Sequence, residues 1–434
     1  MSRLPSLATS VFLIAVILVQ ACSRGSSPLT TNPGQLENQI QHKKPADSKG
    51  ISKREDKPPS GRLSIWTPIY QGMNPQVQQK INITVANLVS RFEKDFSNIK
   101  VILKQYPDTI IYKKYSQKVS EGLGPDLLLS HSFMIPPLSR KKDISPIDNQ
   151  ITNLESIYQK LLKASEINGT LYAIPFIINV QLLCYNKRDV SKAPATFQQL
   201  LEISESGTST AVGGNFLDLL WGLPGVGQPL FGQKNVDIKD KEKGLVKWIS
   251  LLNKIDEDPN LALFKDGTIM NNYFSQGKIS VMNCWSVDLP WLRDKIGEAN
   301  LGISTLPTIN GKPAQPRVEI ASFATNPNMS SNQKKIARRF IDFSISIDQQ
   351  QQIAINWDSL LPVNRHSGFN QQLFPVLQPG KESLASSYEI TPEELLILET
   401  NFDSIQNVFG DAVAGLISPG KAGEEIIKLL QPKQ

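Results

Sequence analysis

Residues 171–186 read LYAIPFIINVQLLCYN, and the fold turns on how this run is read. It is almost wholly apolar, as strands buried on both faces of a parallel sheet are. It is too short to cross a membrane as a helix, and Pro175 stands where a helix would need an amide. From Ile174 to Tyr185 it is also long for a strand, whose usual length is about 5–6 residues. At about 3.3 Å per residue it would reach roughly 40 Å. Two readings stand side by side: one strand that leaves a first sheet and enters a second, or two ordinary core strands with a kink between them. Asn179 and Gln181 interrupt the run and, being two apart, share a face. A polar pair inside a buried run is expected to face water, a ligand or a cleft between lobes.

The chain has 434 residues, more than one typical core holds, so two lobes or domains are expected. Its 40% hydrophobic and 20% charged content is that of a soluble globular protein. The one membrane-like segment is N-terminal. Arg3 precedes the apolar run VFLIAVILV (11–19), which has the length of a signal-peptide core. The following Val19-Gln20-Ala21-Cys22 resembles a bacterial lipobox, which implies cleavage before a lipidated Cys22. A plain secretory signal or an uncleaved anchor are the other readings, and each puts the body outside the cytoplasm. Residues 23–62 are rich in Ser, Pro, Gly, Asn, Gln and Lys and cannot build a core, so they are expected to form a disordered tether. They carry most of the basic excess of a chain with 46 basic and 40 acidic residues, which leaves the body near neutral. That balance gives no nucleic-acid footprint. Apart from Cys22, the cysteines are Cys184 and Cys284, both in apolar strand-like runs. Buried free thiols are the expectation there, although an oxidising compartment permits a bond between them.

The body opens with strand RLSIWT (62–67), a helix with apolar residues at helical spacing over 82–96, strand IKVIL (99–103), a helix over 112–121 and strand DLLLS (126–130). This β-α-β-α-β order implies a parallel sheet flanked by helices. After the 171–186 run, Thr196 opens a helix with Gln199 three on. A short strand or turn is expected over 210–214, and helices starting at 216 and over 241–255. Strands follow over 278–285, 301–306 and 319–325, and helices over 331–347, 392–409 and 420–430.

Catalytic signatures are absent. No G-x-S-x-G, H-E-x-x-H or paired C-x-x-C occurs, and the glycine-rich run 225–232 lacks the Gly-Lys-Ser/Thr of a phosphate loop. The S-x-x-K matches at Ser97 and Ser139 have no supporting motif. Of three histidines, His42 lies in the tether, leaving His131 and His366, too few for most histidine-based metal sites. Enzymatic activity is disfavoured, and no cofactor or metal is expected.

Five segments together resemble the bacterial extracellular solute-binding proteins of family 1, the maltose and sugar-binding group of ABC importers. They are LSIWTPIYQG (63–72), GPDLLLSHS (124–132), NGTLYAIPFIINVQLLCYNKRDV (168–190), YFSQGKISVMNCW (273–285), and VEIASFATNPN (318–328) with LLPVNR (360–365). The third is the most specific. The resemblance implies a periplasmic-binding-protein-like α/β fold, two lobes joined by hinge strands with a ligand cleft between them. Lobe I would be 63–178 plus 322–361, and lobe II 179–321 plus 362–434. It implies an extracytoplasmic, lipid-anchored monomer that delivers a small-molecule solute, in the first place a carbohydrate, to membrane permease subunits. Cleft residues carried over by position are Tyr70, Gln71, Ser130, His131, Asn179, Phe216, Trp285, Glu319, Arg365 and Phe409. Asn179 stands where maltose-type members carry an acidic sugar ligand, and Glu319 where the family more often has glycine. Phe216, Trp285 and Phe409 match aromatic sugar platforms. Glu319 could bind a hydroxyl or a cation, or pair with Arg317 or Arg365. A compatible solute such as a glucosyl-polyol, a charged solute, or a cell-envelope glycan hydrolase are the competing readings.

Overall fold

A computed structural model describes residues 58–432, except 149, 233–234, 358, 369–373 and 375. The signal segment, Cys22 and most of the tether lie outside the described residues. Among the described residues eleven strands are present: β1 (Gly61–Ile69), β2 (Ile99–Pro107), β3 (Leu127–His131), β4 (Glu166–Ile167), β5 (Thr170–Leu171), β6 (Ala173–Asn186), β7 (Thr210–Gly213), β8 (Leu261–Phe264), β9 (Val281–Trp285), β10 (Leu301–Ser304) and β11 (Val318–Thr325). Apart from the β4–β5 pair they run in the order β2-β1-β3-β11-β6-β9-β7-β8, with β10 also on β6.

The opening β-α-β-α-β unit is parallel: β1 pairs with both β2 and β3 in that sense. Its first helix, Pro75–Asp95, begins earlier than its apolar spacing indicates, because Pro75 sits at the first turn and the Asn74 side chain accepts the Gln76 amide. The 392–413 helix uses the same devices, with Pro392 at the first turn and a reciprocal Thr391/Glu394 capping box.

β6 is a single strand of 14 residues. Residues 173–180 pair antiparallel with β11, whereas 181–186 pair antiparallel with β9 and β10. It therefore crosses from one set of strands to another, as the strand-between-sheets reading requires. Its proline is accommodated locally. Ser322 faces Pro175 and Ala321 faces Ile177, so Phe176 is an extra residue in the ladder. Such a bulge releases the ladder hydrogen bond that proline cannot make.

Two expectations change. The segment after Phe216 forms a turn, a short 3-10 turn at Leu220–Gly222 and a helix at Leu223–Val226 instead of one longer helix. The 331–347 helix stops at Ser344 and a new one starts at Ile347. The cysteines also differ from the expectation of free thiols. Cys184 and Cys284 form a disulfide with their Cα atoms 5.8 Å apart. Cys184 faces Met282 and Cys284 faces Leu182 across the β6–β9 ladder, so the two are diagonal neighbours on one face.

The largest core group runs the length of β6, from Ile174 and Phe176 to Leu182 and Cys184, and includes Leu63, Phe92, Phe323, Phe340, Trp291 and Trp357. A second gathers Leu183, Trp221 and Trp248 with Ile405, Phe409 and Ile426 of the C-terminal helices.

Candidate functional site

A cavity of about 640 Å³ opens beside the β6–β11 pair. Its floor is Arg317, Val318, Glu319 and Ile320 at the start of β11. One wall comes from the segment after β3, His131 to Met134, and from Lys160, Leu161, Lys163 and Ala164. The facing wall is the helix Pro392–Val413, which presents Pro392, Leu395, Leu398, Glu399, Phe402 and Asp403 at the spacing of one helical face. Asn215, Leu217, Leu384 and Ser387 to Thr391 complete it. Arg140 and Glu399 form an ion pair of 3.3 Å between the helix Ile135–Arg140 and the facing wall.

The polar end is one connected network. Arg317 and Glu319 are two apart on adjoining strand positions and share a face. The Arg317 guanidinium contacts the Asp218 carboxylate at 2.7 Å and the Glu319 carboxylate at 3.1 Å. Burial opposes charge on Arg317, but Glu319 and Asp218 outweigh it and raise its pKa. Burial raises Asp218 against the pull of Arg317. The Tyr388 hydroxyl donates to the Leu217 carbonyl at 2.8 Å. Burial raises the pKa of that hydroxyl, with Arg317 opposing. Just behind, burial pushes the Asp288 carboxyl up to about 6, with Asn271's hydrogen bond opposing and Glu319 adding to the rise.

The structure brings some of the expected residues together and takes others away. His131 lines the cavity and stacks on Phe133, ring centroids 5.0 Å apart and 19° from parallel. Its other flank meets Tyr70 at 4.8 Å. Burial lowers the His131 pKa and so favours the neutral ring, whose Nδ1 has no hydrogen-bond partner. Tyr70 is thus a support for His131, and burial raises its hydroxyl well above the ordinary value. Ser130 is fully buried behind them, bonded to the His131 carbonyl at 3.1 Å. Gln71 is exposed, its amide donating to Asp108 at 3.3 Å.

Asn179 faces Glu319 across the ladder but is not among the residues lining the cavity. Its Oδ1 accepts from the Ser286 hydroxyl and the Val287 amide, both at 3.0 Å, and its Nδ2 lies 3.4 Å from Glu319 Oε2. Gln181, fully buried, joins the Asp218 carbonyl to the Arg317 amide and pins β6 to the segments around it. Trp285 is half-buried and does not line the cavity; the Arg317 guanidinium lies 6.0 Å from the centroid of its ring. Phe216 and Phe409, 0% and 1% exposed, pack on each other at 5.1 Å in the second core. They meet edge to face, 73° between their planes, and both rings are enclosed in the core. Arg365 is exposed, and its backbone amide bonds to Ser156. Of the two partners weighed for Glu319, the structure selects Arg317. The residues that sequence reasoning missed are Phe133, Asp218, Tyr388 and Phe402. Only the i, i+3, i+7 apolar pattern of the 392–413 helix signalled any of them.

Among the described residues no group of three or more His, Cys, Asp or Glu could hold a metal ion. The cavity, with Arg317 and Glu319 in its floor and both apolar and charged side chains in its walls, is suited to holding a solute.

Comparison with known proteins agrees with this geometry. The family model described as bacterial extracellular solute-binding protein matches residues 78–351. A maltotriose-binding protein of Pyrococcus abyssi is 25% identical over 321 residues, which are 68% of this chain and 65% of that protein, so the match spans just under two thirds of that relative. A maltooligosaccharide ABC transporter solute-binding lipoprotein of Streptococcus pneumoniae is 23% identical over 417 residues, 88% of this chain and 92% of the relative. The crystal structure of the GacH receptor of Streptomyces glaucescens has the same fold, with a TM-score of 0.71 at 18% identity, covering 86% of this chain and 98% of that one. With a long strand shared by two sets of strands, a cavity beside it, and a family match over most of the body, the chain belongs to the bacterial extracellular solute-binding proteins.

Proposed function

We propose that the protein is the substrate-binding lipoprotein of an ABC importer, capturing a sugar or glycoside outside the cytoplasmic membrane and delivering it to a permease. The observation that carries this reading is the cavity at the β6–β11 pair, walled by the segment after β3 on one side and the 392–413 helix on the other. The ligands of similar proteins support it: maltotriose, maltooligosaccharide and, for the GacH receptor, acarbose. We assign lobe I to 63–178 plus 322–361 and lobe II to 179–321 plus 362–434, with β6 and β11 as hinge strands. Ligand touching both walls would favour a closed form over an open one by its differential affinity for the two.

His131 and Glu319 are the ligand contacts we propose from the expected set, with Arg317 added. Because Arg317 is already matched by Asp218 and Glu319, it is not free to pair with an anionic solute, which disfavours an anion as the ligand. The role is binding without turnover, and prolonged incubation should return the solute unchanged. Cys22 is the proposed lipid anchor. Intact mass of the membrane-extracted protein should include lipid, and Cys22→Ser should lose it. Thermal-shift screening against maltose, maltotriose, glycosides, polyols, amino acids and iron tests the solute class. Stabilisation by an amino acid or iron, with none from any carbohydrate, would sink the sugar reading.

A further inference from the structure

The two facing walls of the cavity are tied to each other at two places, with protein groups on both sides of each tie. At one, the Lys160 ammonium, on the helix Gln159–Lys163, donates to the Ser387 carbonyl at 2.5 Å and the Ala385 carbonyl at 3.2 Å. Those carbonyls stand at the C-terminal end of the helix Leu377–Ser386. The last carbonyls of a helix lack partners within it, and a cation is favoured there. Glu389 lies 4.0 Å from the same ammonium. Lys160 is half-buried, and burial lowers its pKa with Glu389 opposing, so the tie offsets the cost of placing a charge there. At the other place, Arg140 pairs with Glu399 at 3.3 Å. Glu399 lies about 10 Å along its helix from Pro392, so the two ties hold that wall at separate stations.

We infer that Lys160 and Arg140 are positioning residues for the solute site: they clasp its two walls together whether or not a solute lies between them. The inference rests on the reading of this cavity as the solute site, but not on which solute it takes. Release of both clasps is then the step that admits or frees a solute. The two are unequal. Hydrogen bonds from a charged donor at Lys160 bias the joined walls by about tenfold to a hundredfold. The exposed pair at Arg140 adds at most about fivefold. Arg140 does not line the cavity, so its effect is on the spacing of the walls and not on contact with solute.

The test uses no solute, so its failure and that of the sugar reading are told apart. Glu166, just beyond the Lys160 wall, and Ser404, on the facing helix, are both exposed. Spin labels at Glu166→Cys and Ser404→Cys, in a Cys22→Ser background, report the distance between the walls by pulsed electron paramagnetic resonance. The expected result is one narrow, short distance in the parent. Lys160→Met should add a population at longer distance, and Lys160→Arg should not. Lys160→Met also strips a half-buried helix end of its cation, so a charge swap at the other clasp gives a second test. Arg140→Glu should lengthen the distance, and Arg140→Glu with Glu399→Arg should restore it. Urea denaturation of the same samples separates a change in wall spacing from loss of the fold. A parent already spread over long distances, or one distribution shared by parent, Lys160→Met and Arg140→Glu, would overturn the clasps. A swap that fails to restore the parent distance would overturn the one at Arg140.

Discussion

Replacing Asn179 with leucine tests what the centre of β6 is for. Read as a free cleft ligand, Asn179 could be exchanged at little cost to folding. The structure predicts otherwise. Its Oδ1 is the acceptor for the Ser286 hydroxyl and the Val287 amide, and Ser286 Oγ in turn accepts the Val180 amide at 3.1 Å. Ser286 is 0% and Val287 9% exposed, so water does not readily replace the lost acceptor. A buried donor left without a partner costs about 1–3 kcal/mol. The two donors together give about 2–4 kcal/mol after allowing the hydroxyl to turn and the leucine to bury some surface. Asn179→Asp is the informative companion. Its carboxylate accepts from both donors, but it sits opposite Glu319, where like charges destabilise. That variant should therefore be less stable than the parent at neutral pH. Urea denaturation followed by tryptophan fluorescence measures both. A leucine variant as stable as the parent, within about 0.5 kcal/mol, would refute the network as what fastens β6 to Ser286 and Val287.

Other perturbations follow from the same geometry. The Asp288 carboxyl is held at about 6, above the unfolded value, so it favours the fold fully below about pH 4 and that contribution is lost as pH rises through 6. Asp288→Asn keeps an oxygen for Asn271, and should add up to about 3 kcal/mol at pH 7.5 and flatten the stability profile between pH 4 and 6; no gain at pH 7.5 contradicts the assignment. Changing Cys184 and Cys284 to serine opens a link across 100 residues, worth about 4–5 kcal/mol by the chain-entropy estimate, and unaltered denaturation midpoints in the double variant would argue against the bond. Arg317→Met leaves Asp218 and Glu319 facing each other without a cation and should cost about 3–5 kcal/mol. Adding Asp218→Asn should recover part of that loss, and full independence of the two changes in a double-mutant cycle would deny the pair.

The sequence was most readable where local chemistry decides. An apolar run too long for one strand and too short for a membrane, with a proline inside it, left few choices, and β6 is the one that spans two sets of strands. Proline and asparagine before the 75–95 helix are local as well. Whatever depended on register was hidden. The extra residue at Phe176 exists only relative to β11, and Cys184 meets Cys284 only through the β6–β9 alignment. Aromatic residues misled for a related reason. A phenylalanine in the sequence promises buried area without naming what will cover it, and Phe216 and Phe409 cover each other. The floor of the cavity was half legible, because Arg317 and Glu319 two apart on a strand must share a face. Asp218 and Tyr388 lie in irregular segments, where no period signals them.

The departures at 179 and 319 are best understood as one. The family resemblance implies an acid on β6 at 179 and a glycine on β11 at 319, whereas this chain has asparagine and glutamate. The ladder sets those two positions directly opposite, with Asn179 Nδ2 3.4 Å from Glu319 Oε2. Two ionised carboxylates at that separation would repel, so the pair holds one acid, and which strand carries it is open. Moving the carboxylate to β11 has two consequences. It lies within reach of Arg317 at 3.1 Å, and the guanidinium stands 6.0 Å from the centroid of the Trp285 ring. It also frees position 179 to be an amide, whose oxygen accepts from Ser286 and Val287 while its nitrogen faces Glu319, a combination a carboxylate could not make. One exchange of side chains across a ladder thus both ties β6 to the residues after β9 and sets the acid in an ion pair with Arg317.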